Sequence, residues 1–66
     1  MKINANKIET IFAEQGLTKA DVSERCGISR QNLSTIIRRG TCEPKTAGKI
    51  AKGLNVNVAD ILHEGA

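Results

Sequence analysis

Between residues 30 and 39 stand Arg30, Gln31, Ser34, Thr35 and Arg38, side chains chosen for hydrogen-bond donors and acceptors. On a helix turning about 100° per residue, with Arg30 set at zero, they fill an arc from zero to roughly 140°, while Leu33, Ile36 and Ile37 fall near 240° to 340°. A segment divided in this way docks by its apolar stripe and turns the polar arc outward. The chemistry available to that arc is the reading of nucleobase edges. A guanidinium bonds guanine O6 and N7 together, a carboxamide does the same for adenine N6 and N7, a hydroxyl serves either kind of edge, and the threonine methyl can meet that of thymine. An α-helix fits the major groove of B-form DNA, with its N-terminal half deepest. The expectation is therefore that Arg30, Gln31, Ser34 and Thr35 meet base edges, and that Arg38 meets a phosphate or an outer base. A plain solvated face would look similar. Against it, residues 30–39 contain no acid to form i, i+4 ion pairs, and the segment ends in Arg38 and Arg39.

Charge is distributed to match. The net +3 conceals a neutral stretch over residues 1–18, a balance of +5 over residues 19–52 and −2 over residues 53–66. A basic block of this kind is a footprint for phosphate or another polyanion. Phosphate contacts are expected on both flanks of the reading segment. Lys19 stands on one side, where a helix start can add backbone N–H groups and the helix dipole. On the other side stand Arg39, Thr41, Lys45 and Thr46, with Thr46 readable equally as a helix cap. Lys49 and Lys52 read as solvated charge. Phe12 is the only aromatic residue, so the chain offers no platform on which unpaired bases could stack, and double-stranded DNA is the expected nucleic acid.

Other chemistries find little support. Cys26 and Cys42 are the only cysteines and lack the close Cys/His spacing of a zinc site, so both read as reduced thiols, with no metal and no cofactor expected. His63 is solitary, Ser and Thr have no His or Asp at useful spacing, and no Gly-rich phosphate loop occurs; an enzyme is not expected. Asn4, Asn6 and Lys7 interrupt the apolar run that a signal peptide would need, and no stretch approaches the roughly 20 apolar residues of a membrane span. A cytoplasmic protein without a membrane partner is expected. At 66 residues the chain has room for one small domain, residues 1–66.

The elements that must position these side chains announce themselves by repeated start signals. Four times an apolar residue, a capping residue and an apolar residue four places beyond the cap occur in order: Ile3-Asn4 with Ile8, Leu17-Thr18 with Val22, Ile28-Ser29 with Leu33, and Val56-Asn57 with Ile61. Stop signals follow at Gly16, Gly27, Gly40, Asn55 and Gly65. The spacing predicts helices near 5–15, 19–26, 30–39, 46–54 and 58–63, and no strand, since Val and Ile recur at three and four rather than at two. The result is an all-α bundle. Ile8, Ile11 and Phe12, then Val22 and Cys26, then Ala47, Ile50, Ala51 and Leu54, and finally Val58, Ile61 and Leu62 form its core stripes, with one of the last three a candidate for exposure to a partner. Only Gly27-Ile28-Ser29 separates the second and third helices, so the two must cross steeply as a helix-turn-helix, residues 19–39. Ser23 is small at the crossing, and Leu33 and Ile36 lock the third helix in place.

These residues resemble the phage Cro and repressor type of helix-turn-helix domain, the XRE family. The similarity runs from Ile8 and Ile11 through Gly16-Leu17-Thr18, Ser23, Gly27-Ile28-Ser29, Leu33, Ile36, Arg39-Gly40 and Ile50-Ala51-Lys52-Gly53-Leu54-Asn55-Val56 to Asp60-Ile61-Leu62. The resemblance implies a compact five-helix bundle, lambda repressor-like, that binds operator DNA as a two-fold homodimer on a palindrome. The chain departs from the family pattern at Lys19, where many members carry Gln, at Ser23 in place of Ala, and at Ile37 in place of Glu. The function expected is that of a small transcriptional regulator, a repressor or an activator, with repression the preferred reading. Its rivals are an antitoxin that binds its own operator and a protein-interaction module with no DNA role.

Overall fold

The computed structural model describes residues 1–63. Among them four α-helices follow in order, α1 (Ala5–Gln15), α2 (Lys19–Cys26), α3 (Arg30–Arg39) and α4 (Pro44–Gly53), and then a 3-10 turn, Val58–Asp60. The first three begin where a side chain accepts an otherwise orphaned backbone N–H. Asn4 Oδ1 accepts from the Lys7 amide at 3.1 Å, Thr18 Oγ1 from that of Asp21 at 3.2 Å, and Ser29 Oγ from that of Asn32 at 3.1 Å. Gly16, Gly27, Gly40 and Asn55 all take positive φ at the expected stops, while Gly65 lies outside the described residues.

The five-helix expectation is corrected to four. Residues 58–63 do not form a helix because the backbone beyond Asp60 is spent on the N-terminal segment. The Asn4 amide donates to the Ile61 carbonyl at 2.8 Å and the His63 amide to the Lys2 carbonyl at 3.2 Å, with an isolated antiparallel bridge between Ile3 and Leu62. On its other side the same N-terminal segment meets the chain leaving α3. Lys2 bridges Thr41, the Ile3 amide donates to the Gly40 carbonyl at 2.9 Å, and the Cys42 amide donates to the Met1 carbonyl at 3.0 Å. Residues 1–4 are thus wedged between two segments distant in sequence, although no strand forms among the described residues.

A second correction concerns α4, which starts at Pro44 rather than at 46. Proline suits the first helical position, where its missing N–H costs nothing and its fixed φ is already helical. Thr46 therefore lies inside the first turn and is not the cap; Glu43 holds that position and makes no side-chain capping bond. The third correction is at the end of the core. Ile61 is fully buried, Val58 is half-buried against the core and Leu62 is half-buried, so none of the three is left out as an exposed apolar residue.

Ile8, Val22, Leu33, Ile50, Leu54 and Ile61 are the large side chains of the solvent-free centre, at least one from each of the four α-helices and Ile61 from directly after the 3-10 turn. α2 and α4 meet tightly at Gly53, where an added methyl would overlap Cys26 Sγ and lie 3.2 Å from the Cys26 backbone. α1 is tied to the end of α4 by Gln15, whose Nε2 donates to the Leu54 carbonyl at 2.7 Å.

Candidate nucleic-acid interface

The turn between α2 and α3 is built by local bonds. Gly27 stops α2 in the left-handed region at φ 69°, which a side chain would resist, and the Ile28 amide donates back to the Ser23 carbonyl at 3.0 Å. Ser23, buried at the crossing, spends its hydroxyl on the Ala20 carbonyl at 2.9 Å, so no polar atom is stranded there. Ser29 then starts α3. Leu33, Ile36 and Ile37 are buried, as the angular division of the helix requires.

The opposite arc is open. Arg30, Gln31, Arg38 and Arg39 are exposed, and Ser34 and Thr35 half-buried. Lys19 of α2 joins Gln31, Ser34, Thr35 and Arg38 of α3 around one shallow concavity that holds two cationic side chains and no acid. The other side of α3 faces a second concavity, to which Asn32, Thr35, Arg39, Thr41, Glu43 and Thr46 contribute. Thr35 belongs to both and stands between them. Arg30, at the first position of α3, and Lys45, in the first turn of α4, are exposed but line neither.

The sequence reading missed Asn32. At roughly 200° on the helix it falls just past the arc assigned to base contacts, beside Arg39 at about 180°, and its exposed amide extends the polar surface around the helix. Continuing the angular count past Thr35 would have found it.

The two flanks differ in how their helix starts are satisfied. At α2, Asp21 already supplies an anion, since its Oδ2 accepts from both the amide and the hydroxyl of Thr18 at 3.0 Å. These bonds, with a smaller contribution from Arg25, hold the Asp21 carboxyl below its ordinary value. What Lys19 offers outward there is chiefly its own ammonium. At α4 no side chain caps the first turn, so the amides of Lys45 and Thr46 have only solvent or an incoming group as partners.

Of the two thiols, Cys42 lines the second concavity and Cys26 lines neither. Cys26 is buried and Cys42 half-buried, both are free, and burial pushes both up from the ordinary thiol range. Among the described residues no group of His, Cys, Asp and Glu could hold a metal ion, and no helix is long and apolar enough to cross a membrane.

Against known proteins, the family model described as helix-turn-helix matches residues 8–61. The chain is also 37% identical over 59 residues to an uncharacterized HTH-type transcriptional regulator of Methanocaldococcus jannaschii, covering 86% of this chain and 88% of that protein. No solved structure matches the chain.

Proposed function

Because this chain belongs to the helix-turn-helix family, we propose that it is a sequence-specific regulator of transcription that binds double-stranded DNA and reads the major groove with α3. The observation that carries this reading is the acid-free concavity in which Lys19 of α2 meets Gln31, Ser34, Thr35 and Arg38 of α3. A groove-bound helix needs donors and acceptors toward base edges and cations toward the phosphates beside them, and this surface supplies both.

In this reading Arg30, Gln31, Ser34 and Thr35 meet base edges. Lys19, Arg38, Arg39, Thr41, Lys45 and Thr46 hold phosphates, with the uncapped amides at the start of α4 adding to the last two. Residues 1–66 act as one DNA-binding domain. Two copies bind a palindromic operator, and the protein represses by occupying it, in the cytoplasm, where its thiols stay reduced. Its level sets the outcome, since operator occupancy by a weakly associating dimer rises steeply with concentration.

Selection of duplexes from a random library tests the proposal. Enrichment of one motif, repeated with two-fold symmetry, is the expected result. Binding that is weak and indifferent to sequence would refute it and leave a protein-interaction module as the better reading.

A further inference from the structure

α4 carries its charge on one narrow arc. Counting about 100° per residue from Pro44, Lys45, Lys49 and Lys52 fall between roughly 80° and 140°, opposite the buried Ala47, Ile50 and Ala51 at roughly 240° to 340°. All three lysines are exposed, and residues 44–53 contain no acid. Where α4 packs beside α2, Arg25 joins Lys49 and Lys52 around a shallow hollow completed by Cys26 and Gly53, again without an acid. Arg25 also faces Asp21, whose carboxyl it helps to lower, so the charge of this face rests mainly on the lysines. Glu43, the acid nearest in sequence, lines the second concavity beside α3, to which none of the three lysines contributes.

This face works against its own helix. Lys45 and Lys49 are like charges four residues apart, Lys49 and Lys52 three apart, and Lys45 stands in the first turn, where the helix dipole disfavours a cation. Only Lys52, in the last turn, is favoured by that dipole. Among the lysines lies Gly48, and glycine is the poorest helix former after proline. Packing does not require it, because an added methyl there would meet nothing within 4 Å. Local conflicts without a compensating contact belong to functional surfaces. What offsets these together is an anion long enough to span several cations and able to come close to the helix backbone at Gly48.

Continuity selects the occupant. Lys45, at the head of the arc, is a phosphate contact in the reading proposed above, and Lys52 lies seven residues, about 10 Å, further along the helix. That length is the rise of about three base pairs of duplex. A backbone held at Lys45 can therefore reach Lys49 and Lys52 without a second binding event. We infer that the outward face of α4, with Lys45, Lys49 and Lys52 around Gly48, is a track for the phosphate backbone of the DNA that flanks the site read by α3. This rests on the DNA reading and extends it to two lysines that, taken singly, are plain solvated charge.

The selected motif is tested in two duplexes, one trimmed to the motif and one extended by a helical turn of arbitrary sequence on each side. Binding of the full chain to both is titrated over salt. The double variant Lys49→Gln with Lys52→Gln alters only exposed side chains and leaves the core intact. It should lower the slope of log K against log salt by about two on the long duplex and leave the short one unchanged, with the parent's sequence preference on both. Gly48→Ala should raise the melting temperature, since nothing obstructs the methyl, and yet weaken binding to the long duplex while sparing the short one. A double variant whose slope matches the parent's on both lengths, or falls equally on both, would overturn the track. So would a Gly48→Ala chain that binds the long duplex as tightly as the parent, or two duplexes held by one chain in sedimentation. Failure of the DNA reading looks different: the parent itself would then bind the short duplex no better than a scrambled one.

Discussion

Thr35 donates its hydroxyl proton to the carbonyl of Gln31 one turn earlier, at 2.9 Å. Both residues line the acid-free concavity. With its proton committed, the Thr35 oxygen is left as an acceptor, so in the proposed reading it suits the exocyclic amine of adenine or cytosine rather than guanine O6. Thr35→Val, which keeps a methyl and removes the acceptor, should cost about 1–3 kcal/mol of discrimination at one base pair, whereas Thr35→Ser should retain it. Binding measured on duplexes varied at that pair decides. The opposite pattern would assign the reading to the methyl group.

Base contacts and phosphate contacts fail differently. Gln31→Ala or Arg30→Ala should relax preference at one base pair by about 1–3 kcal/mol. Lys45→Ala should weaken all sequences alike and reduce the slope of log K against log salt by about one. Titrations at several salt concentrations, on the selected duplex and on a scrambled one, separate the two classes. A Lys45 variant that changed sequence preference without changing the slope would contradict its assignment.

Local signals made the first three helices legible, and long-range pairing made the last one illegible. Asn4, Thr18 and Ser29 are caps whose partners lie three residues away, so the sequence itself contains both halves of each bond. At the end of the chain the same kind of signal was present in Asn57 and Asp60, and Asp60 Oδ2 does accept the Asn57 amide at 3.0 Å. The helix it announces stops after one turn, because Ile61 and His63 pair with Asn4 and Lys2, almost the whole chain away. Nothing in the spacing of residues 57–63 could reveal that partner. Thr46 misled in a related manner. It is a good cap by type, but Pro44 two places earlier had a stronger claim on the first turn. In the candidate site, the angular division of α3 separated buried from open side chains correctly and was merely cut short before Asn32.

Gly53 packs against Cys26 so closely that a methyl has nowhere to go. Alanine is the better helix former by about 1 kcal/mol, yet here the obstacle includes the Cys26 backbone, which cannot turn aside as a side chain can. Overpacking of this kind costs about 1–3 kcal/mol, so Gly53→Ala should lower stability on balance. Urea denaturation with an unchanged m-value would register it, and a variant more stable than the parent would show that α2 and α4 can separate freely.

Asp21 makes part of the stability acid-sensitive. Its carboxyl lies below the ordinary value, chiefly because Thr18 donates to it from the backbone and from the side chain. A group depressed in the folded state contributes stability above its unfolded pKa and loses that contribution as the pH falls through the folded one. The parent should therefore melt above Asp21→Asn at neutral pH, and the difference should close as the pH drops below about 4. Parallel melting curves across that range test it; a gap that persisted undiminished in acid would mean that the carboxylate's charge is irrelevant to the α2 cap.

Ile3 joins the start of the chain to the loop on which the second flank of the candidate interface depends. Its side chain is 3% exposed and its amide donates to the Gly40 carbonyl at 2.9 Å, while the neighbouring Met1 carbonyl accepts from Cys42. Between Gly40 and Cys42 lies Thr41, and directly beyond come the uncapped start of α4 and Lys45. Removing the Ile3 side chain should cost about 2–5 kcal/mol, a large share of what a domain of this size possesses. Loss should begin in the loop, because α3 keeps its own buried stripe of Leu33, Ile36 and Ile37. In Ile3→Ala, hydrogen exchange should therefore show the amides of Ile3 and Cys42 losing protection together and before those of α3. Equal loss throughout the chain would mean that the segment and the core open as one unit, and that the loop has no independent dependence on the N-terminal residues.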